Sequence, residues 1–254
     1  MFLAFIATRT LRTPRTQRSV SINRNDESRS ATMQTFHTPA PVSVLLDVPA
    51  GRIRLIAADR ADTAVEVLPA NPSKGTDVKA AEQTTVAYGD GVLRIAAAPA
   101  KNRALGNSGA VEVTVQLPAG SRVEAKAADA EFRGVGRLGD VDFEGAQGSV
   151  KLDEAASARL ILLSGDVTVG RLGGDARLGT QKGDVRVTEA LGGTVELSTE
   201  SGDVSIGATR GVSASLDAGT SYGRIENSLR NTDGKAALNI RATTSYGDIS
   251  ARSL

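Results

Sequence analysis

The sequence predicts an all-β protein, built as a parallel β-solenoid with coils of about 18 residues. A short phrase, Gly-Asp-Val-x-Val or a close variant, returns at a nearly fixed interval. Apolar and polar residues also alternate over most of the chain, as they do in half-buried strands. Together these two observations indicate one small β unit that is repeated along the chain.

The repeat is clearest in the second half of the chain. Complete copies begin at Gly165, Gly183 and Gly202, and weaker copies at Gly174 and Gly193 lie between them. Strong and weak turns therefore alternate, as a coil with two different corners requires. The low aromatic content, 3%, also suits a narrow core of stacked Val, Leu and Ile. The alternative is an antiparallel β-meander in which each Gly-Asp forms a hairpin turn.

Three regions follow from the pattern. Residues 1–32 are Arg-rich and lack periodicity, which predicts disorder or an over-extended gene start before Met33. Residues 33–133 form a β-strand region of the repeat domain, and residues 134–254 carry the Gly-Asp-Val repeats. No segment shows a convincing helical period. The predicted strands of the second region are Val42–Val48, Arg52–Ala57, Ala64–Leu68, Thr84–Tyr88, Val92–Ala96 and Val111–Leu117, and the longest loop is Pro99–Gly109.

The first seven residues are apolar, but no positive charge precedes them, which disfavours a secretory signal peptide. The stretch is also far too short to span a membrane. We therefore expect no membrane span and a cytoplasmic location. A cell-surface location is the alternative.

Composition excludes several classes of function. Cys is absent, so disulfides, thiolate catalysis and Cys-bound zinc are excluded. The only histidine, His37, is expected to be an exposed loop residue. The net charge of +1 gives no field that would attract nucleic acid. We expect no cofactor and no metal.

The acidic residue of the repeat is the first candidate for a binding site. Asp166, Asp184 and Asp203 follow the strong glycines, and Asp248 follows the last one. An Asp in this position can accept backbone N–H groups, so a structural role at the turn is the simpler interpretation. A ladder of carboxylates on successive coils could instead hold calcium. The spacing disfavours that reading, because calcium-binding nonapeptides repeat every nine residues with a second glycine.

Tyr222 and Tyr246 form a second candidate, because each precedes a glycine at an equivalent place in the last coils. They are expected to stack and cover the open end of the solenoid, or to offer a small ligand platform. The densest acidic run is Asp140, Asp142, Glu144 and Asp153. It is interpreted as a solvated face rather than as the acid pair of a polysaccharide lyase or hydrolase.

The segments 36–44 and 48–55, followed by Ser-Gly-Asp-Val repeats, resemble the bacterial domain-of-unknown-function 4097 family, a group common in actinobacteria. The resemblance covers about residues 33–254. It implies a solenoid-like β-strand repeat and the family label "putative adhesin", and it carries no agreed catalytic residues to this chain.

The first hypothesis for function is a non-enzymatic interaction or scaffold module whose partner is a protein or a glycan. The second is a carbohydrate-active enzyme of the β-helix type. Self-association through the ends of the solenoid is a further expectation.

Overall fold

The structure, a computed structural model, describes residues 33–97, 109–231 and 234–254. The expectations for residues 1–32 and for most of the Pro99–Gly109 loop lie outside this part of the chain. The described part contains sixteen strands and one helix. In chain order the elements are β1 (Gln34–His37), β2 (Ser43–Ala58), β3 (Asp62–Pro69), α1 (Gly75–Gln83), β4 (Thr85–Gly89), β5 (Val92–Ala96), β6 (Val111–Pro118), β7 (Arg122–Ser164), β8 (Val167–Leu172), β9 (Ala176–Gly179), β10 (Val185–Ala190), β11 (Gly193–Ser198), β12 (Val204–Ala208), β13 (Ala214–Tyr222), β14 (Ile225–Ser228), β15 (Leu238–Tyr246) and β16 (Ile249–Ser253).

The strands form two ladders that enclose one core. The first ladder runs β1-β3-β6-β2-β7-β8-β10-β12-β16-β14. The second runs β4-β5-β2-β7-β9-β11-β15-β13. The long strands β2 and β7 contribute successive stretches to both ladders, because each passes through a corner without losing its pairing.

Pairing in the repeat region is parallel and in register, which confirms the solenoid and not the meander. Val167, Val185 and Val204 stand in one column, with Ile249 and Ile225 beyond them. In β8 to β12, β15 and β16, alternate residues point inward and are almost fully buried. The core is therefore a set of aliphatic columns, and it also holds the pair Phe132 and Phe143, whose ring centroids lie 4.8 Å apart.

The order of the coils in space differs from their order along the chain. β15 lies between β11 and β13, and β16 lies between β12 and β14. The last coil of the sequence is thus inserted beneath the coil that precedes it. The terminal coil of the solenoid is consequently β13–β14, which among the described strands pairs with β15–β16 alone.

The N-terminal part departs from the sequence prediction in two ways. Three of its pairs, β1 with β3, β3 with β6 and β4 with β5, are antiparallel. A helix, α1, also forms where no helix is predicted, and it packs against β3 and β6. His37 ends β1 and is exposed, so it belongs to a strand rather than to a loop.

Tertiary contacts explain why α1 forms despite its weak pattern. Ala80 and Ala81 pack against the core, while Asp77 is buried. Burial raises the pKa of the Asp77 carboxyl, but the Ala110 N–H and the Lys74 ammonium outweigh it, so the pKa lies below its usual value. A buried carboxylate that accepts a backbone N–H ties the first turn of the helix to the residue preceding β6.

The corners of the repeat depend on glycine. Gly165, Gly183, Gly202, Gly247 and Gly223 all have φ between +131° and +155°, and they stack on one another. A Cβ built on Gly202 would lie 2.0 Å from the carbonyl oxygen of Gly183. Both the backbone conformation and the close approach of the coils therefore require the absence of a side chain.

Gly202→Ala is expected to destabilise the protein by more than about 3 kcal/mol, because strain at positive φ and a backbone clash act together. Gly211→Ala, at φ +83° with open space around it, isolates the conformational cost and should lose about 1 kcal/mol. Gly219→Ala has neither problem and should change stability by less than about 0.5 kcal/mol. Equilibrium denaturation of the three variants measures the differences, and equal midpoints for the first and the third would contradict the clash.

Candidate functional site

The predicted site residues all lie along one corner of the solenoid. The corner glycines form a central column. The aspartates follow the glycines by one residue, and the tyrosines precede them by one. The fold thus arranges the candidates as two parallel columns along the corner, rather than gathering them into one pocket.

Each corner aspartate binds the backbone of the next coil. The N–H of Asp184 donates to Oδ1 of Asp166 at 2.9 Å, and the N–H of Asp203 donates to Oδ1 of Asp184 at 2.8 Å. The column continues with Asp248 N–H on Asp203 and Arg224 N–H on Asp248, both at 2.8 Å. One oxygen of every carboxylate is therefore engaged by the backbone, as in the structural interpretation of the repeat.

The last member of the column is a cation. Arg224 occupies the place of Asp in the terminal coil, and its guanidinium Nη2 lies 2.8 Å from Oδ2 of Asp248. The backbone N–H and then the guanidinium of Arg224 hold the pKa of Asp248 below its usual value. Both Asp248 oxygens thus have partners within the protein.

A third column of polar residues escapes the sequence prediction. Thr199, Thr244 and Thr220 each donate through Oγ1 to a corner glycine carbonyl of the preceding coil, at 2.9, 3.0 and 3.1 Å. A threonine stands three residues before each of these glycines, and this spacing was the available signal. These threonine hydroxyls stabilise the corner from the inside, because they supply hydrogen-bond donors to its backbone carbonyls.

Tyr222 and Tyr246 are stacked as predicted. Their ring centroids lie 5.0 Å apart, and the ring planes differ by 2°. The rings are 67% and 59% exposed, the two highest values among the exposed large hydrophobic residues of the described ranges. The pair lies at the corner nearest the terminal coil, beside the column of aspartates.

The acidic run is divided between the two ladders. Asp140 accepts from Ser157, and both Asp142 and Glu144 accept from Arg159. The Arg159 hydrogen bond lowers the pKa of Glu144.

Asp153 instead lies in the first ladder, where it pairs with Arg133. A glycosidase needs two facing carboxyls, and one of them must have a raised pKa. Asp142 and Glu144 share Nη1 of Arg159, and the lowered pKa of Glu144 opposes the role of a general acid.

Within the described ranges, no group of three or more His, Asp or Glu side chains converges as metal ligands would. No helix in the same ranges is long and apolar enough to cross a membrane.

Several solved structures are similar to this chain. A "putative adhesin" from Bacteroides fragilis has a TM-score of 0.54 at 16% identity, over 89% of this chain and 98% of that one. A "putative cell adhesion protein" from Clostridium sporogenes has a TM-score of 0.36 at 13% identity, over 88% and 99%. A "putative lipid binding protein" from Parabacteroides distasonis has a TM-score of 0.41 at 13% identity, over 87% and 96%. A comparison with curated proteins finds no match.

At 16% identity the likeness to the Bacteroides fragilis protein shows the fold alone. The sequence itself matches the family described as Toastrack DUF4097 over residues 7–252, which is the family that the order of its motifs indicates. The chain, a parallel solenoid with stacked Gly-Asp corners, therefore belongs to the Toastrack DUF4097 family.

Proposed function

We propose that this protein is a non-enzymatic binding module that engages glycans through the corner marked by Tyr222 and Tyr246. The observation that carries the proposal is a pair of stacked aromatic rings that are both more than half exposed. Exposed aromatic side chains on a rigid scaffold commonly mark binding sites, because they offer a large apolar area at little entropic cost.

Within the ranges described, the interior of the solenoid is closely packed and has no space for a bound ligand. Its inward residues are Val, Leu, Ile, Ala and Phe in close contact, so any ligand must bind on the outside. The carboxyls of Asp62, Asp77, Glu144 and Asp248 all have lowered pKa values. A lowered pKa suits an ion pair, and it opposes the role of a general acid.

The name "putative adhesin" of the Bacteroides fragilis protein agrees with a binding role. A glycan-binding protein meets polysaccharides mostly at the cell surface. The proposal therefore favours the cell-surface alternative over the cytoplasmic location expected from the sequence.

Self-association is proposed through the C-terminal end of the solenoid. Ile225 stands in register with Ile249, Val204 and Val185, which are at most 1% exposed, yet Ile225 is 45% exposed. Among the described strands, β13 pairs with β15 alone and β14 with β16 alone, so the terminal coil presents two edges without a further strand.

The opposite end has a different form. Phe36 of β1 and Tyr88 of β4 meet at 5.3 Å between ring centroids, and β1 and β4 are antiparallel to their neighbours. Head-to-tail growth would have to join this end to the parallel terminal coil. A second copy offers the same two edges at the same spacing, so two terminal coils can meet about a twofold axis as a closed dimer.

The binding proposal predicts association without turnover. Full-length protein is incubated with immobilised and soluble polysaccharides, while bound protein and new reducing ends are both measured. We expect binding with no increase in reducing ends. Release of reducing ends that survives repurification and is lost in Asp142→Asn would contradict the proposal in favour of the carbohydrate-active enzyme.

The corner aspartates are proposed to be structural. Asp184→Asn keeps an oxygen that accepts the Asp203 N–H, whereas Asp184→Ala loses it and should cost about 1 kcal/mol. Thermal melting of the wild type should be the same with calcium and with a chelator. A calcium-dependent rise in Tm that Asp184→Asn abolishes would contradict the structural role and indicate a cation site.

The dimer prediction is tested by sedimentation velocity. The wild type should show a concentration-dependent species of twice 26.2 kDa, and Ile225→Asp should remain monomeric because a charge replaces the apolar contact. Leu163→Asp, which changes an exposed apolar residue away from the terminal coil, is the matched control and should still dimerise. A monomeric wild type at every concentration, or open-ended polymers, would contradict the closed dimer.

A further inference from the structure

The residues that precede the corner glycines form an exposed column of unequal side chains. Ser164, Lys182, Ser201, Tyr246 and Tyr222 follow one another in register across five coils. All except Ser164 are exposed. Two small side chains, two large aromatic side chains and one long cation therefore share a single line on the surface.

Ser201 leaves a gap in this column. Tyr222 covers one face of the Tyr246 ring, so the opposite face of that ring is directed toward the coil that carries Ser201. A serine side chain is too short to cover an aromatic ring. Tyr246 and Lys182 are two coils apart, which is about 10 Å, since neighbouring strands are separated by about 4.8 Å. Stacking on an aromatic ring takes about 4.5–7 Å between centroids. The gap above Ser201, between Tyr246 and Lys182, therefore admits one further ring, and we call it the slot.

The surface around this gap is a shallow cavity of about 680 Å³. Its lining residues are Leu163, Ser164, Gln181, Lys182, Glu200, Ser201, Ser245 and Tyr246. Within the described part of the chain, the side chains of Gln181, Lys182 and Glu200 make no hydrogen bond or ion pair. Donors and acceptors therefore line the cavity without partners of their own, next to one apolar ring face.

This combination matches the chemistry of a neutral sugar. A pyranose ring presents an apolar C–H face that can lie against an aromatic ring, and its rim of hydroxyls both donates and accepts hydrogen bonds. Lys182 and Gln181 can donate to those hydroxyls, while Glu200 accepts from them. Glu200 beside the slot opposes an anionic ligand, and the Lys182 ammonium opposes a cationic one.

We propose that the slot above Ser201 binds one neutral pyranose ring of a polysaccharide, stacked on the free face of Tyr246. This proposal rests on the glycan-binding function proposed above, and it names the subsite. A few placed polar groups around one apolar face are typical of sites that fix the orientation of a small ligand.

The decisive variant fills the slot without removing the aromatic surface. Ser201→Tyr would extend the stack of Tyr222 and Tyr246 by one ring and occupy the proposed sugar position. The side chain is exposed, and the column already accepts stacked tyrosines, so Tm should not fall. Tyr246→Ala removes the platform, while Tyr246→Phe keeps the ring and is the matched control.

Full-length protein is titrated with maltohexaose, cellohexaose and chitohexaose by calorimetry, and ring contacts are detected by saturation-transfer NMR. Ser201→Tyr and Tyr246→Ala should weaken binding of the recognised oligosaccharide by about tenfold or more, and Tyr246→Phe by less than about threefold. Saturation should appear on the C–H protons of one sugar face.

The outcomes separate the two proposals. If the wild type binds an oligosaccharide and folded Ser201→Tyr binds it equally well, the subsite is wrong and the glycan-binding function stands. If the wild type binds none of the three oligosaccharides and no polysaccharide, both proposals fail.

Discussion

The close stacking of the corner glycines is the constraint on which the rest of this structure depends. A carbonyl oxygen from one coil lies where a Cβ of the next would be, as Gly202 over Gly183 shows. This approach lets the N–H of Gly183 reach the carbonyl of Ser201 at 2.9 Å, and it keeps the flanking strands in register. Because register is fixed at the corner, inward Val and Ile side chains fall into columns, and water is excluded from the core.

The same stacking determines what the acidic residue of the repeat can do. Placing carboxylates one coil apart would bring like charges within about 5 Å of each other. Backbone N–H donors offset that repulsion at Asp166, Asp184 and Asp203, and Arg224 ends the column with a positive charge. The aspartate that follows the corner glycine therefore has a structural role, while the residue that precedes the glycine differs from coil to coil. Specific binding is more reasonably sought at that irregular position.

The sequence was sufficient to predict the repeat because its determinants are local. Glycine spacing and period-two alternation report directly on the corners and on the strands of the solenoid. Helix α1 was missed because its stability comes from contacts far away in sequence, notably Asp77 with the Ala110 N–H. The cavity beside Tyr246 could not be predicted either, since its walls come from four coils. The tyrosine pair itself could be found, because Ser-Tyr-Gly occurs twice.

The sequence does not predict that β15–β16 is inserted between β11–β12 and β13–β14. Because of this insertion, the terminal coil of the solenoid depends on strands that come later in the chain. Each repeat has nearly the same inward residues, so pattern alone fits any stacking order. In the part of the chain that the structure describes, β13–β14 pairs only with β15–β16, and β15–β16 joins it to β11 and β12.

The terminal coil can therefore be completed only after the final strands have been made and docked. Only then can Tyr222 contact Tyr246 and form the surface that is proposed to bind a ligand. A chain cut before β15 would retain the Gly-Asp corners of the earlier coils and lose the contact between Tyr222 and Tyr246, which separates the part that folds by repetition from the part that carries the proposed site.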